Sequence, residues 1–196
     1  ALPRRFAEAG RRGGRALLAA TPSLPTTPAV PAEALTWTVD DAVRTLLLAA
    51  APAHADGPAA RASAVYHGGD AAERRGVLRA LGPLDLRGPH GLRDHALPLV
   101  ADALRSNDPR LLAAALGPYG ARHLTAHAYR EAVLKCLHHG VPLRAVAGLP
   151  HRADAELARM ALTHARELTS AGRPVPSDVR TLAAADPHPP PHPAGT

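Results

Sequence analysis

The chain is 196 residues long, enough for a single domain that buries its own core without disulfides or metal. It has no isoleucine and only five aromatic residues, Phe6, Trp37, Tyr66, Tyr119 and Tyr129, against abundant Ala and Leu, which excludes a β-rich fold and predicts an all-α multi-helix bundle. Of its net charge of +6, residues 1 to 15 carry +4, through Arg4, Arg5, Arg11, Arg12 and Arg15 against Glu8, so the body is nearly neutral and no specific nucleic-acid partner is expected.

Residues 1 to 35 read as an Arg-rich arm and a Pro-rich linker ahead of a helical domain at 36 to 185. The arm reads as a solvated tail, with Gly13 and Gly14 interrupting any helix. Arg4-Arg5-Phe6 is not an export signal, because the apolar run Ala16 to Ala20 is shorter than the roughly 7 to 15 residues required. Thr21 to Ala34 holds four prolines and is expected to be extended. Thr38 then caps a helix with Asp40 and Asp41 in its first turn, where carboxylates complement the dipole, and Val39, Val43, Leu46 and Leu47 are expected to face inward.

Pro52 to Pro58 reads as a loop, and a helix around Ala59 to Tyr66 stops at Gly68 and Gly69. Ala71 to Leu81 is the next, with Val77, Leu78 and Leu81 apolar and Gly82-Pro83 ending it. Leu92 to Arg105 continues the pattern, although Pro98 is expected to kink or shorten it. Asn107-Asp108-Pro109 starts a helix answered by Leu111 to Leu116, and Gly117-Pro118 breaks it. Thr125 caps the helix whose buried stripe is Tyr129, Ala132, Val133, Cys136 and Leu137, closed by Gly140. Leu157, Met160, Ala161, His164 and Leu168 repeat the stripe, with Gly172 supplying a left-handed closing turn. Ser177 caps a short last helix through Val179 and Leu182, and the tail from 186 to 196 reads as disordered. Short helices between proline turns point to stacked helical hairpins, HEAT-like or solenoid-like in order.

The chemistry-bearing residues are sparse. His123 and His127 have i, i+4 spacing, but they straddle the Thr125 cap and lack the glutamate of a zinc-peptidase pattern, so no metal or other cofactor is expected. His138-His139 closes a helix, where cationic side chains favour the negative end of the dipole. His188 and His192 belong to the tail, and His164 reads as a half-buried packing residue. The single Cys136 cannot form an internal disulfide, which fits a reducing compartment and makes the cytoplasm the default. No run approaches the roughly 18 to 20 apolar residues of a membrane-crossing helix. No nucleophile, triad or phosphate loop is evident, so no catalytic residue is assigned.

In VLKC, PLRAVAGL, RADAELARM and AGRPVPSD, within Glu131 to Asp178, the order and spacing resemble the EboA family of bacterial metabolite-traffic proteins. The likeness reaches back to WTVDDAVRTLLLAAAP (Trp37 to Pro52) and forward to about Leu182. It implies a part in moving a precursor of specialised metabolism, without an established reaction. Where relatives carry His-Glu-Arg, this chain reads Arg166, Glu167 and Leu168. Lys135, Arg152, Arg159 and Arg173 are the candidates to face an anionic ligand, with Tyr129 as an aromatic wall. Glu131 and Asp154 complete the charged set, Glu131 lying i, i+4 before Lys135, the only lysine beside twenty-two arginines. The expected partners are a small-molecule metabolite, biosynthetic or membrane partner proteins, or both. A non-catalytic scaffold and a His-based metal-dependent enzyme stay open as alternatives.

Overall fold

Helices alone make up the regular elements of the described residues, as the scarcity of β-branched and aromatic side chains requires. The computed structural model describes residues 2–14, 16, 37–50, 57–86 and 92–185. The Thr21 to Ala34 linker, residues 52–56 of the expected loop and the tail from 186 lie outside them. None of the described helices is long and apolar enough to cross a membrane. The chain divides into two units, 1–148 and 149–196.

The first unit holds α1 (Leu2–Gly13), α2 (Val39–Ala50), α3 (Gly57–Gly68), α4 (Ala71–Asp85), α5 (Leu92–Arg105), α6 (Pro109–Ala115), α7 (Pro118–His123) and α8 (Ala126–His138). A 3-10 turn at Leu143–Ala145 follows. Leu48, Tyr66, Leu81 and Leu99, from four successive helices, are each at most 1% exposed and anchor one core. The second unit holds α9 (Leu149–Arg152), α10 (Ala155–Ser170) and α11 (Ser177–Ala183). Here α10 buries Leu157, Ala158, Ala161 and Leu168, and α11 buries Val179 and Leu182.

Several start and stop signals act as expected. Asp108 accepts the Arg110 amide at 2.9 Å ahead of Pro109, and Thr125 accepts the Ala128 amide at 3.2 Å. Gly140 and Gly172 take φ of 72° and 67°, left-handed values that close α8 and α10. Asp70 with Glu73 forms a reciprocal capping box on α4.

Other expectations are corrected. The arm is not a solvated tail over residues 2–13: it is helix α1, with Phe6 fully buried and Ala9 4% exposed. Burying a phenylalanine contributes roughly 1.5 to 3 kcal/mol, which favours docking over solvation. Helix α3 starts at Gly57, inside the expected loop. Pro83 does not end α4, which runs on to Asp85, and Pro98 lies within an unbroken α5. Such prolines remove one backbone donor each, and the packed faces on either side keep the helix continuous. A separate helix, α7, begins at Pro118 with Gly117 as its cap. At α11 the cap position is Pro176, so Ser177 is already helical and makes no side-chain cap.

The largest correction concerns α2. Its buried residues are Asp40, Asp41, Arg44, Thr45 and Leu48, while Leu46 is 64% exposed. The charged face points inward because α4 brings Arg75 and Arg79 to meet it. Gly76 permits that approach, since a Cβ there would stand 2.7 Å from Arg44 Cδ.

Candidate functional site

The inward face of α2 and the facing side of α4 build a buried ion network. Asp40 and Asp41 lie in the first turn of α2, where the helix dipole favours negative charge. Arg44 follows Asp40 by one turn and donates to its carboxylate. Arg75 and Arg79, also one turn apart, converge on Asp41: Arg75 Nε donates to Oδ1 at 3.1 Å and Arg79 Nη1 donates to Oδ2. The Thr38 hydroxyl stands between the two carboxylates, 2.6 Å from Asp41 Oδ2, and accepts from Arg75 Nη2 at 3.3 Å. The Thr38 amide donates to Asp41 Oδ2 at 3.1 Å, which fixes the start of the helix. Trp37 lies 5.8 Å from the Arg79 guanidinium, within cation–π range.

All five charges are removed from water: Asp40 is 1%, Asp41 0%, Arg44 3%, Arg75 8% and Arg79 7% exposed. Desolvation penalises each by several kcal/mol, so only pairing holds them inside. Burial pushes the Asp40 carboxyl up, but the Thr38 hydroxyl and the Arg44 and Arg75 charges outweigh it and hold the group below its ordinary value. Burial pulls the Arg79 guanidinium down, against the opposing charge of Asp41. Among the described residues, three guanidinium groups converge on two carboxylates here. Planar guanidinium groups bind carboxylate and phosphate oxygens in pairs, so the arrangement suits a small anion.

Sequence reasoning missed this network. Its signal was present as two i, i+4 sets, Asp40 with Arg44 and Arg75 with Arg79, but nothing in either helix alone says that the two meet.

The residues singled out from the sequence fall in both units. In the first, Tyr129 is 1% exposed and its hydroxyl donates to the Ala147 carbonyl at 2.7 Å, which places the ring in the core. Lys135 Nζ donates to the Leu104 carbonyl at 2.7 Å, where α5 ends. That uses the ammonium where the helix dipole is negative. Glu131 meets His127 at 3.2 Å on the surface, in place of the expected pair with Lys135. In the second unit, Asp154 caps α10 by accepting the Leu157 amide at 2.9 Å, and Arg159 pairs with Glu156 at 2.7 Å. Arg152 ends α9, and the exposed Arg173 donates its amide to Leu168 at 2.8 Å.

The histidines are engaged elsewhere. His123 Nε2 lies 2.9 Å from Asp85, which also meets Arg122 at 3.1 Å. Beneath it the Tyr119 hydroxyl is buried with no hydrogen-bond partner among the described residues, and burial with the nearby Asp85 pushes it up to about 12. His164 is half-buried, 3.7 Å from Glu167. Burial, His138 and Lys135 all push His139 down, and its backbone amide donates to the Leu137 and Lys135 carbonyls where α8 closes. Among the described residues no group of three His, Cys, Asp or Glu is placed to hold a metal ion.

A protein-family model described as metabolite traffic protein EboA matches residues 18–184. That span takes in α2 through α11 and leaves α1 outside. No curated protein and no solved structure matches the chain.

Proposed function

Since the chain belongs to the EboA family and so takes part in metabolite handling, we propose that it does so by holding an anionic precursor reversibly, without converting it. The observation that carries this reading is the convergence of three buried guanidinium groups, Arg44, Arg75 and Arg79, beside Asp40 and Asp41. A carboxylate or phosphate monoester would accept paired hydrogen bonds from these groups, while Trp37 offers a flat apolar surface to the rest of the molecule. The buried, unpaired thiol of Cys136 supports a cytoplasmic setting.

Trp37 is the only tryptophan, so its fluorescence reports on the network directly. Titration with inorganic phosphate and with benzoate is expected to shift that signal. Arg75→Met removes one guanidinium and leaves Asp41 paired with Arg79, so affinity falls at least about tenfold while the helical circular dichroism persists. If neither anion perturbs Trp37 and native mass spectrometry of the purified chain finds no bound small molecule, the reading fails.

A second reading, attachment of a partner protein, is supported by the exposed charged residues of the second unit. Arg159 and Arg173 are exposed there, with Arg152 and Asp154 close by in sequence. We assign Glu131 and Lys135 on α8 to the same kind of contact, made by the first unit. Substituting Lys135 and Arg173 together by Met would reduce co-purification of a partner in this reading and leave the Trp37 titration unchanged.

A further inference from the structure

We infer that α1 and the outer face of α2 form a docking surface for a bilayer bearing anionic phospholipid, in which arginines of α1 meet lipid phosphates and Leu46 of α2 enters the apolar boundary. The way α1 is held fixes which side it shows. Phe6 is fully buried in the main core, Leu2 packs against that core, and the Val39 amide donates to the Ala16 carbonyl at 2.9 Å. With Phe6, Ala9 and Gly13 turned inward, the helical repeat places Arg4 with Arg11 and Arg5 with Arg12 in two rows on the outer side. The members of each row stand two turns, about 10 Å, apart. All four are exposed. Among the described residues their one ion pair joins Arg4 to Glu8 at 3.4 Å, and it leaves the Arg4 side chain 88% exposed.

Helix α2 supplies the apolar half. Because Asp40, Asp41 and Arg44 turn inward, the opposite face carries no charge: Val39, Val43, Leu46 and Ala50 recur on it at i, i+4, i+7 and i+11. Leu46 is 64% exposed, one of two large apolar side chains so placed among the described residues. The two halves adjoin, since the Cβ position of Gly13, next to Arg12, lies 3.5 Å from Val39 Cγ1 at the head of that apolar face.

This pairing fits lipid better than other polyanions. Lasting attachment to a bilayer takes two signals, and a basic patch beside an apolar residue provides them. The apolar residues of α1 are already used in the core, so the inserted side chain must come from α2. Nucleic acid would also meet the arginines, but the one aromatic residue of α1, Phe6, is buried and cannot stack on bases. A partner protein is recognised through matched shape, whereas a fluid bilayer accepts a projecting leucine and mobile guanidinium groups without it.

The test is co-sedimentation of the full chain with vesicles of mixed phosphatidylglycerol and phosphatidylcholine, against vesicles of phosphatidylcholine alone. Retention is expected on the anionic vesicles only, and it is lost at about 0.5 M salt, where screening is short-ranged. An arginine near an anionic surface contributes roughly fivefold. Arg11→Gln with Arg12→Gln, and separately Arg4→Gln with Arg5→Gln, should therefore each lower the partition at least about tenfold. Glu8→Gln should raise it about threefold or more, and Leu46→Gln should lower it about threefold or more at unchanged charge. Circular dichroism of each variant should match the parent, and the two arginine pairs guard against one disturbing α1. No retention on the anionic vesicles overturns the docking surface, as does retention that neither arginine pair weakens. Retention indifferent to Leu46→Gln reduces it to general charge attraction and overturns it too. Binding to polyuridylate or polyglutamate, with none to vesicles, assigns the arginines to nucleic acid or to an acidic protein instead.

Discussion

Gly76 shows how far one side chain can reverse a rule of local propensity. In an ordinary helix interior, Gly→Ala gains about 1 kcal/mol. At Gly76 the added Cβ would meet Arg44 Cδ at 2.7 Å, and Arg44 is held in place by Asp40. Overpacking of that kind costs about 1 to 3 kcal/mol, so Gly76→Ala is expected to lower the urea midpoint. Gly68, with nothing within 4 Å of its Cβ position, is the control, and Gly68→Ala should leave the midpoint unchanged or raised. Cys136 gives a second test at this scale. Burial pushes its thiol up to about 12 despite the neighbouring Lys135, so little thiolate exists near neutrality and the sulfur is out of reach of reagents. Iodoacetamide at about pH 8 should label the native chain far more slowly than the chain in denaturant; equal rates would contradict the burial. The residue type was legible in the sequence in both cases, but Gly76 carried no sign of what it touches.

At the scale of elements, capping signals were legible and facing directions were not. Asp108, Thr125, Gly140 and Gly172 mark their helix ends through bonds to residues a few positions away, and such bonds are written in the local sequence. Asp154 acts likewise on α10. Asp154→Ala is expected to lower stability by about 1 kcal/mol, read as faster amide hydrogen exchange in the first turn of α10, whereas Asp154→Asn should retain most of the protection. Helix α2 went the other way. Its Val39, Val43, Leu46 and Leu47 offered an apolar face by count, yet the helix buries Asp40, Asp41 and Arg44 and leaves Leu46 exposed. Charge goes inside only where opposite charge is waiting, and the partners sit more than thirty positions on in sequence, at Arg75 and Arg79. Pro83 and Pro98 were misread for a similar reason: a proline's local penalty is fixed, but the packing that absorbs it belongs to other helices.

For the whole molecule, the depressed carboxyls set the acid limb of stability. Asp40 is held below 3.8 by Thr38 and arginine in spite of its burial, Asp102 chiefly by the Tyr66 hydroxyl, and Asp108 chiefly by Arg110. A carboxyl lowered by folding contributes stability that is complete above its unfolded value and disappears as pH falls through the folded one. The urea midpoint should therefore owe no loss to these groups between neutrality and about pH 5, and should fall below 3.8 as all three protonate. A decline confined to the range above about pH 5 would show that other groups control it. The sequence by itself determined the all-helical class, most of the helix ends and membership of the family, because composition, short-range hydrogen bonding and collinear order are local properties of the chain. Only the tertiary structure decided that the Arg-rich segment docks as α1 and that three arginines meet two aspartates inside. Both depend on contacts between residues far apart along the chain, where the energy of burying a charge or a phenylalanine is set by what the fold places opposite it.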